Sequence, residues 1–208
     1  MPTIAAAIRK WAARVPAPRA CALAAALALA VVLAGVPARA VEIDGIDVAE
    51  AVQVDGTPLQ LNGAGTRTVY IVKAYVAALY VPRRSASPEA LLAQRGARRL
   101  SLTMLADLSA DWIAERFVKA LQANHRGPEF ERLRPRLERL IDTMLTLGQT
   151  HKGERIDIDV VGGATRVSVD GHALGPAVPG EDVFGAILRI FVGAHPLDED
   201  LRRAMLGR

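Results

Sequence analysis

Apolar and acidic positions alternate from Val41 to Val54 around Gly45, as in Glu42-Ile43-Asp44 and Ile46-Asp47-Val48. This is the pattern of short strands with one wet face. Asp55-Gly56 is a hairpin signal. Leu59 to Leu61 reads as a strand entering a glycine loop, where Gly63 and Gly65 allow the backbone positive φ. Val69 to Val81 supplies two further strands, ended by Pro82. Apolar residues in that run lack clean alternation, which predicts burial on both faces.

Helical signals begin at Ser87-Pro88-Glu89, with Ser87 as N-cap, Pro88 at the first helical position and Glu89 at the positive end of the dipole. That helix is short and ends near Arg95-Gly96, and Arg99 to Leu105 returns to a strand. Ser109 then caps a longer helix in which Ile113, Phe117 and Leu121 recur every four residues, with Trp112, Lys119 and Ala120 near the apolar face. After His125-Arg126-Gly127-Pro128 a second long helix carries Phe130, Leu133, Leu137, Leu140 and Met144. Pro135 removes a backbone donor inside it, which predicts a kink or two short helices meeting there. Its arginines alternate with Glu131 and Glu138 as a solvated face with helical ion pairs.

Two strictly alternating segments, Arg155 to Val161 and Thr165 to Asp170, flank Gly162-Gly163 and predict a tight hairpin. Asp157 and Asp159 share one face of it, read as the solvent face. Pro179-Gly180 leads into a helix through Val183, Ile187 and Ile190, and Asp198 starts a closing helix with Leu201 and Met205. Strands first, helices in the middle, then a hairpin and a helix describe an α+β domain over residues 41–208, an antiparallel β-sheet covered on one face by a layer of helices.

Charge changes meaning once the first 40 residues are set apart. Arg9, Lys10, Arg14 and Arg19 precede the apolar run Cys21 to Val36, and Ala38-Arg39-Ala40 follows, the three parts of a secretory signal peptide cleaved after Ala40. Its apolar core is shorter than the about 20 residues of a spanning helix, and an uncleaved anchor is the alternative. The expected location is periplasmic. Of 26 Lys and Arg against 22 Asp and Glu, five basic and no acidic residues lie in this segment, leaving 21 against 22. The high isoelectric point therefore belongs to the leader, and a nucleic-acid partner is not indicated. Cys21, the only cysteine, goes with it. No disulfide or thiolate chemistry remains after cleavage.

Familiar chemistry is missing from the motifs. His125, His151, His172 and His195 are scattered without i, i+4 metal spacing, so no metal site is predicted. There is no G-x-S-x-G. Gly63-Ala64-Gly65 lacks the third glycine and following helix of a dinucleotide loop, and no cofactor is predicted. One cation stands out: Arg67 sits at the start of the apolar run, where a fork of five donors matches a carboxylate or phenolate. A surface acid as its partner is the plainer alternative.

The run LNGAGTRT followed by YVAALYVP resembles the start of the chalcone isomerase fold, with its L-x-G-x-G-x-R turn. MLADLSADWIAERFVKAL is similar to the central helix of that family, and AILRIFVGAHPLDEDLRRAML to its C-terminal segment. In order, these motifs place the chain closest to the bacterial exported, chalcone isomerase-like branch, an open-faced β-sandwich. The resemblance implies that the catalytic arginine is kept as Arg67 and that a strand threonine becomes Tyr75. It also implies that the helix tyrosine and asparagine become Trp112 and Lys119, and that a C-terminal Thr or Ser becomes Ile190. Most groups that polarise the ketone are thus replaced. Plant fatty-acid-binding proteins of the same superfamily hold a carboxylate with an arginine and a tyrosine, which Arg67 and Tyr75 resemble.

The leading expectation is a non-catalytic carrier of an apolar carboxylate such as a fatty acid, with Arg67 and Tyr75 on the head group and Trp112, Phe117, Ile190 and Phe191 as walls. Two readings stay open beside it. One is an isomerase (intramolecular lyase) acting on an aromatic enone through Arg67, Tyr75 and Lys119. The other is an envelope interaction module with a filled core. Neither the oligomeric state nor a protein partner is readable from these residues.

Overall fold

The computed structural model describes residues 40–208; the expected leader lies outside the described residues except for Ala40. The first strands, β1 (Ala40–Ile43) and β2 (Ile46–Ala49), pair as a separate hairpin. Then come β3 (Ala51–Val54), β4 (Thr57–Val69), β5 (Val72–Val81), the short α1 (Pro88–Ala93) and β6 (Arg98–Met104). A small pair, β7 (Leu108–Ser109) with β8 (Gln149–Thr150), brackets the long helices α2 (Ala110–Asn124) and α3 (Gly127–Leu145). The chain closes through β9 (Arg155–Val161), β10 (Ala164–Val169), β11 (His172–Ala173), β12 (Val178–Pro179), α4 (Glu181–Val192) and α5 (Glu199–Met205).

The main sheet runs β11-β10-β9-β6-β5-β4-β3, with β12 also on β10, and its pairs are antiparallel. This is the expected α+β architecture. Helices cover one face, where Leu79, Leu100, Leu137, Phe184 and Ile187 form the larger core. The β1–β2 hairpin packs on the other face over Leu59, Val76, Ala78 and Tyr80. The central strand β5 is accordingly buried on both sides, which explains its unbroken apolar run.

Local signals translate directly in several places. Ser87 Oγ accepts from the Ala90 amide and Ser109 Oγ from the Trp112 amide, each closing a helix N-terminus. Asp44-Gly45, Asp55-Gly56, Gly162-Gly163 and Asp170-Gly171 carry positive φ in tight turns, the residue types that accept it.

Elsewhere the sequence reading is corrected. Gly63 and Gly65 lie within β4, not in a loop, and neither has positive φ. They are glycines because α5 presses on that strand. A Cβ at Gly63 would overlap the Ala204 carbonyl oxygen and stand 2.8 Å from that of Met205, and one at Gly65 would stand 2.7 Å from Ala204 Cβ. Asn62, at a bulge in β4, completes the contact by donating to the Met205 carbonyl at 2.7 Å. The actual turn is Tyr70-Ile71, so Val69 to Val81 supplies one long strand, β5, after the end of β4.

Pro135 sits inside one uninterrupted helix, α3. The proline is exposed, so the carbonyl it leaves unpaired faces water, while Leu133, Leu137 and Leu140 stay buried on the other side. Asp157 and Asp159 are buried, not on a solvent face. Arg99 forks onto Asp159 at 2.7 and 2.6 Å and reaches Asp157 at 3.2 Å, and Ser101 Oγ donates to Asp157 at 2.6 Å. Alternation identified their common face; the hairpin β1–β2 then covered it.

Candidate functional site

Between the sheet and the helices lies a cavity of about 90 Å³, measured as the space open to the centre of a water-sized sphere. On that measure a single water needs about 10–15 Å³, so the space admits a ligand of several heavy atoms. Its walls come from β4, β5, β6, β9, β10, α2, α3 and α4, and they are predominantly apolar. The space beside Arg67 is not filled by side chains.

Arg67 and Tyr75 face each other across the β4–β5 ladder as register partners, and both line the cavity. A register shift just beyond them, between Arg67 and Thr68, changes which β5 residues face inward. Such a bulge re-aims side chains because strand alternation has period two. Past it, Lys73 pairs with Asp44 of the β1–β2 turn on the opposite side.

The anion required by Arg67 is present in the protein itself. Arg67 Nη1 donates to Asp198 Oδ2 at 2.9 Å and to the Thr68 carbonyl at 3.0 Å. The two side chains are 18 % and 17 % exposed. Asp198 works twice, since its Oδ1 also accepts from the Asp200 and Leu201 amides as the N-cap of α5. Nε and Nη2 of Arg67 make no hydrogen bond among the described residues, leaving one edge of the fork available.

Tyr75 is pushed up to about 12 by burial, with Arg67 acting downward and Asp198 upward. Its phenol is therefore a neutral donor at any physiological pH. The hydroxyl has no hydrogen-bond partner among the described residues, and since the side chain is only half-buried, it is open to water or to a ligand in the cavity.

Trp112, Phe117, Ile190 and Phe191 all line the cavity. Lys119 does not. Its amine pairs with Glu115 at 2.6 Å, one helical turn away on the wet side of α2, and the side chain is 69 % exposed. Periodicity put Lys119 next to the apolar face; the helix rotation turned it outward.

Arg116 is the charged lining residue that the sequence reading missed, along with several apolar ones such as Leu102 and Met144. Its guanidinium lies 3.6 Å from the Trp112 ring centroid, Nη1 donates to the Trp112 carbonyl at 3.4 Å, and it forms no ion pair among the described residues. The i, i+4 spacing of Trp112 and Arg116 on one helix was the available signal. With Arg67 balanced by Asp198 and no acidic side chain in the lining, Arg116 gives the cavity a net positive character.

A second cavity of similar size lies on the opposite face, under the β1–β2 hairpin, lined by Tyr80, Arg99, Ser101 and Asp157 among others. Arg99, Ser101 and Asp157 there pair with one another, as described above. Among the described residues no group of three His, Cys, Asp or Glu side chains is arranged to hold a metal ion.

The same architecture occurs in solved structures. A fatty-acid-binding protein of Arabidopsis thaliana superposes with a TM-score of 0.62 at 15 % identity, over 81 % of this chain and 96 % of its own. At that identity the likeness concerns the fold. No curated protein sequence matches the chain. The family model described as chalcone isomerase-like matches residues 40–207, a span running from the first strand through the last helix. The glycine strand, the arginine and the helix laid against them thus sit in one inherited framework, and this chain belongs to the chalcone isomerase-like family.

Proposed function

We propose that this protein is a periplasmic, non-catalytic binding protein for an apolar carboxylate, a fatty acid in the simplest case. The observation that carries the reading is the apolar cavity with Arg67, the unpartnered Tyr75 hydroxyl and Arg116 among its few polar groups. In this reading the carboxylate meets the free Nε and Nη2 edge of Arg67 and the Tyr75 hydroxyl. Arg116 supplies the charge that Asp198 withholds, and Trp112, Phe117, Ile190 and Phe191 enclose the tail. Head-group contacts fix orientation, and each buried methylene adds about 0.8 kcal/mol. The Arabidopsis relative in fold is itself named for fatty-acid binding, which supports the ligand class. The periplasmic assignment rests on the leader-like residues 1–40.

An enone isomerase in the same cavity would have to work without Lys119, which is turned to solvent. Native mass spectrometry of gently purified protein tests the proposal, with a co-purifying acyl carboxylate as the expected result. Release of that adduct in Arg116→Ala and weaker binding of a fluorescent fatty acid in Tyr75→Phe, about fivefold or more for one lost hydrogen bond, complete it. Turnover of chalcones that disappears in Arg67→Ala would overturn it.

A further inference from the structure

We propose that the β4–β5 hairpin tip, Tyr70-Ile71, is a membrane-contact element that sets the cavity mouth against a lipid bilayer. Four other tight turns in the described chain use Asp-Gly or Gly-Gly at positive φ. This one places Tyr70 at φ +55°, where a glycine would sit without strain and a bulky side chain does not. Packing returns nothing for that strain, since Tyr70 and Ile71 are each 94 % exposed and Val72 is 49 % exposed. Other exposed large apolar residues, Val41 and Leu145, stand apart from this run in sequence.

Position adds a second argument. Val69, the residue before the tip, lines the cavity, and so does Arg67. At about 3.3 Å per strand residue the tip stands roughly 10 Å from Arg67 along the strand. It therefore flanks the end of the cavity that carries the polar groups.

The chemistry selects a bilayer over a protein. Arg67 and Lys73, the cations flanking the tip, are held by Asp198 and Asp44, so attraction to the tip is apolar, not ionic. A tyrosine ring suits the headgroup level, and an isoleucine beside it the acyl boundary. Two side chains cannot bury the about 1,200 Å² of a stable protein interface, but they suffice for a shallow, reversible membrane contact. For its purpose, moving an acyl chain between bilayer and cavity without crossing water, the inference rests on the binding reading above; its geometry does not.

The test reads the tip locally in the full chain. Tyr70→Trp, compared with the unsubstituted chain, is mixed with phosphatidylcholine vesicles with and without brominated acyl chains. A blue shift and bromine quenching at position 70, insensitive to salt, is the expected result. Hydrogen exchange of the unsubstituted chain should show vesicle-induced protection around residues 69–72, reduced about tenfold or more in occupancy by Ile71→Ser. Transfer of a fluorescent fatty acid to vesicles should slow in Tyr70→Ser/Ile71→Ser while its affinity for the protein is unchanged. Absence of a shift and of protection overturns the proposal, as does a shift that follows protein concentration without vesicles, which marks a second copy as the occupant. If no fatty acid binds, tip insertion still answers separately.

Discussion

At the scale of single residues, close approach and burial dominate. Gly63 has no alternative, because a Cβ there would meet backbone oxygens of α5 and not a movable side chain. Gly63→Ala should cost about 3 kcal/mol or more, read as a lower urea midpoint. His125 is a second such case, with Nε2–H donating to the Ala186 carbonyl at 3.1 Å and Nδ1 accepting from Arg189 at 3.3 Å. Burial holds its pKa below the ordinary value, the Ala186 carbonyl opposes this and Arg189 reinforces it. The unfolded chain therefore takes up the proton first. Stability from this ring is intact above about pH 6.5 and falls as pH drops from there toward the lowered folded value. The slope of the melting temperature in that window should flatten in His125→Gln.

At the scale of elements, α5 controls the site. Its N-cap, Asp198, is also the counter-ion of Arg67, so helix start and candidate head-group site share one carboxylate. Burial pushes the Asp198 pKa up, but the Leu201 and Asp200 amides and Arg67 together bring it below its ordinary value. Its stabilising effect is present above about pH 4 and is lost as pH falls through the lowered value. Asp198→Asn keeps a capping oxygen and removes the charge. Stability should drop by only about 1 kcal/mol, while affinity for a fluorescent fatty acid rises several-fold because Arg67 is no longer neutralised. An unchanged or weaker affinity would show that Arg67 serves α5 alone.

At the scale of the whole molecule, the two faces of one sheet do opposite work. The helix face keeps an apolar cavity, whereas the hairpin face closes over Arg99, Asp157, Asp159 and Arg155 as mutually paired ions. Asp157 is 2 % exposed, and Asp157→Ala should cost about 3 kcal/mol in chemical denaturation, since Arg99 and Arg155 lose a buried partner. Ligand binding should act on the other face without disturbing that network. A fatty acid at 100 times its dissociation constant should add about 2.7 kcal/mol and raise the melting temperature by about 5–10 °C.

Much of this was legible in order along the chain. Beside the walls Trp112, Phe117, Ile190 and Phe191, which the family resemblance implied, Ser87 and Ser109 as caps, the Asp-Gly and Gly-Gly turns and the α+β class follow from local rules of capping, turn conformation and periodicity. Each depends on neighbours a few residues away, and those are written in the sequence. What only the tertiary structure decided are relations across long separations: Gly63 and Gly65 against α5, Asp198 on Arg67, the hairpin over Asp157 and Asp159, Lys119 turned out and Arg116 turned in. Periodicity names a face but not what covers it, and a lone arginine states a need for an anion without saying which carboxylate, 131 residues away, will meet it.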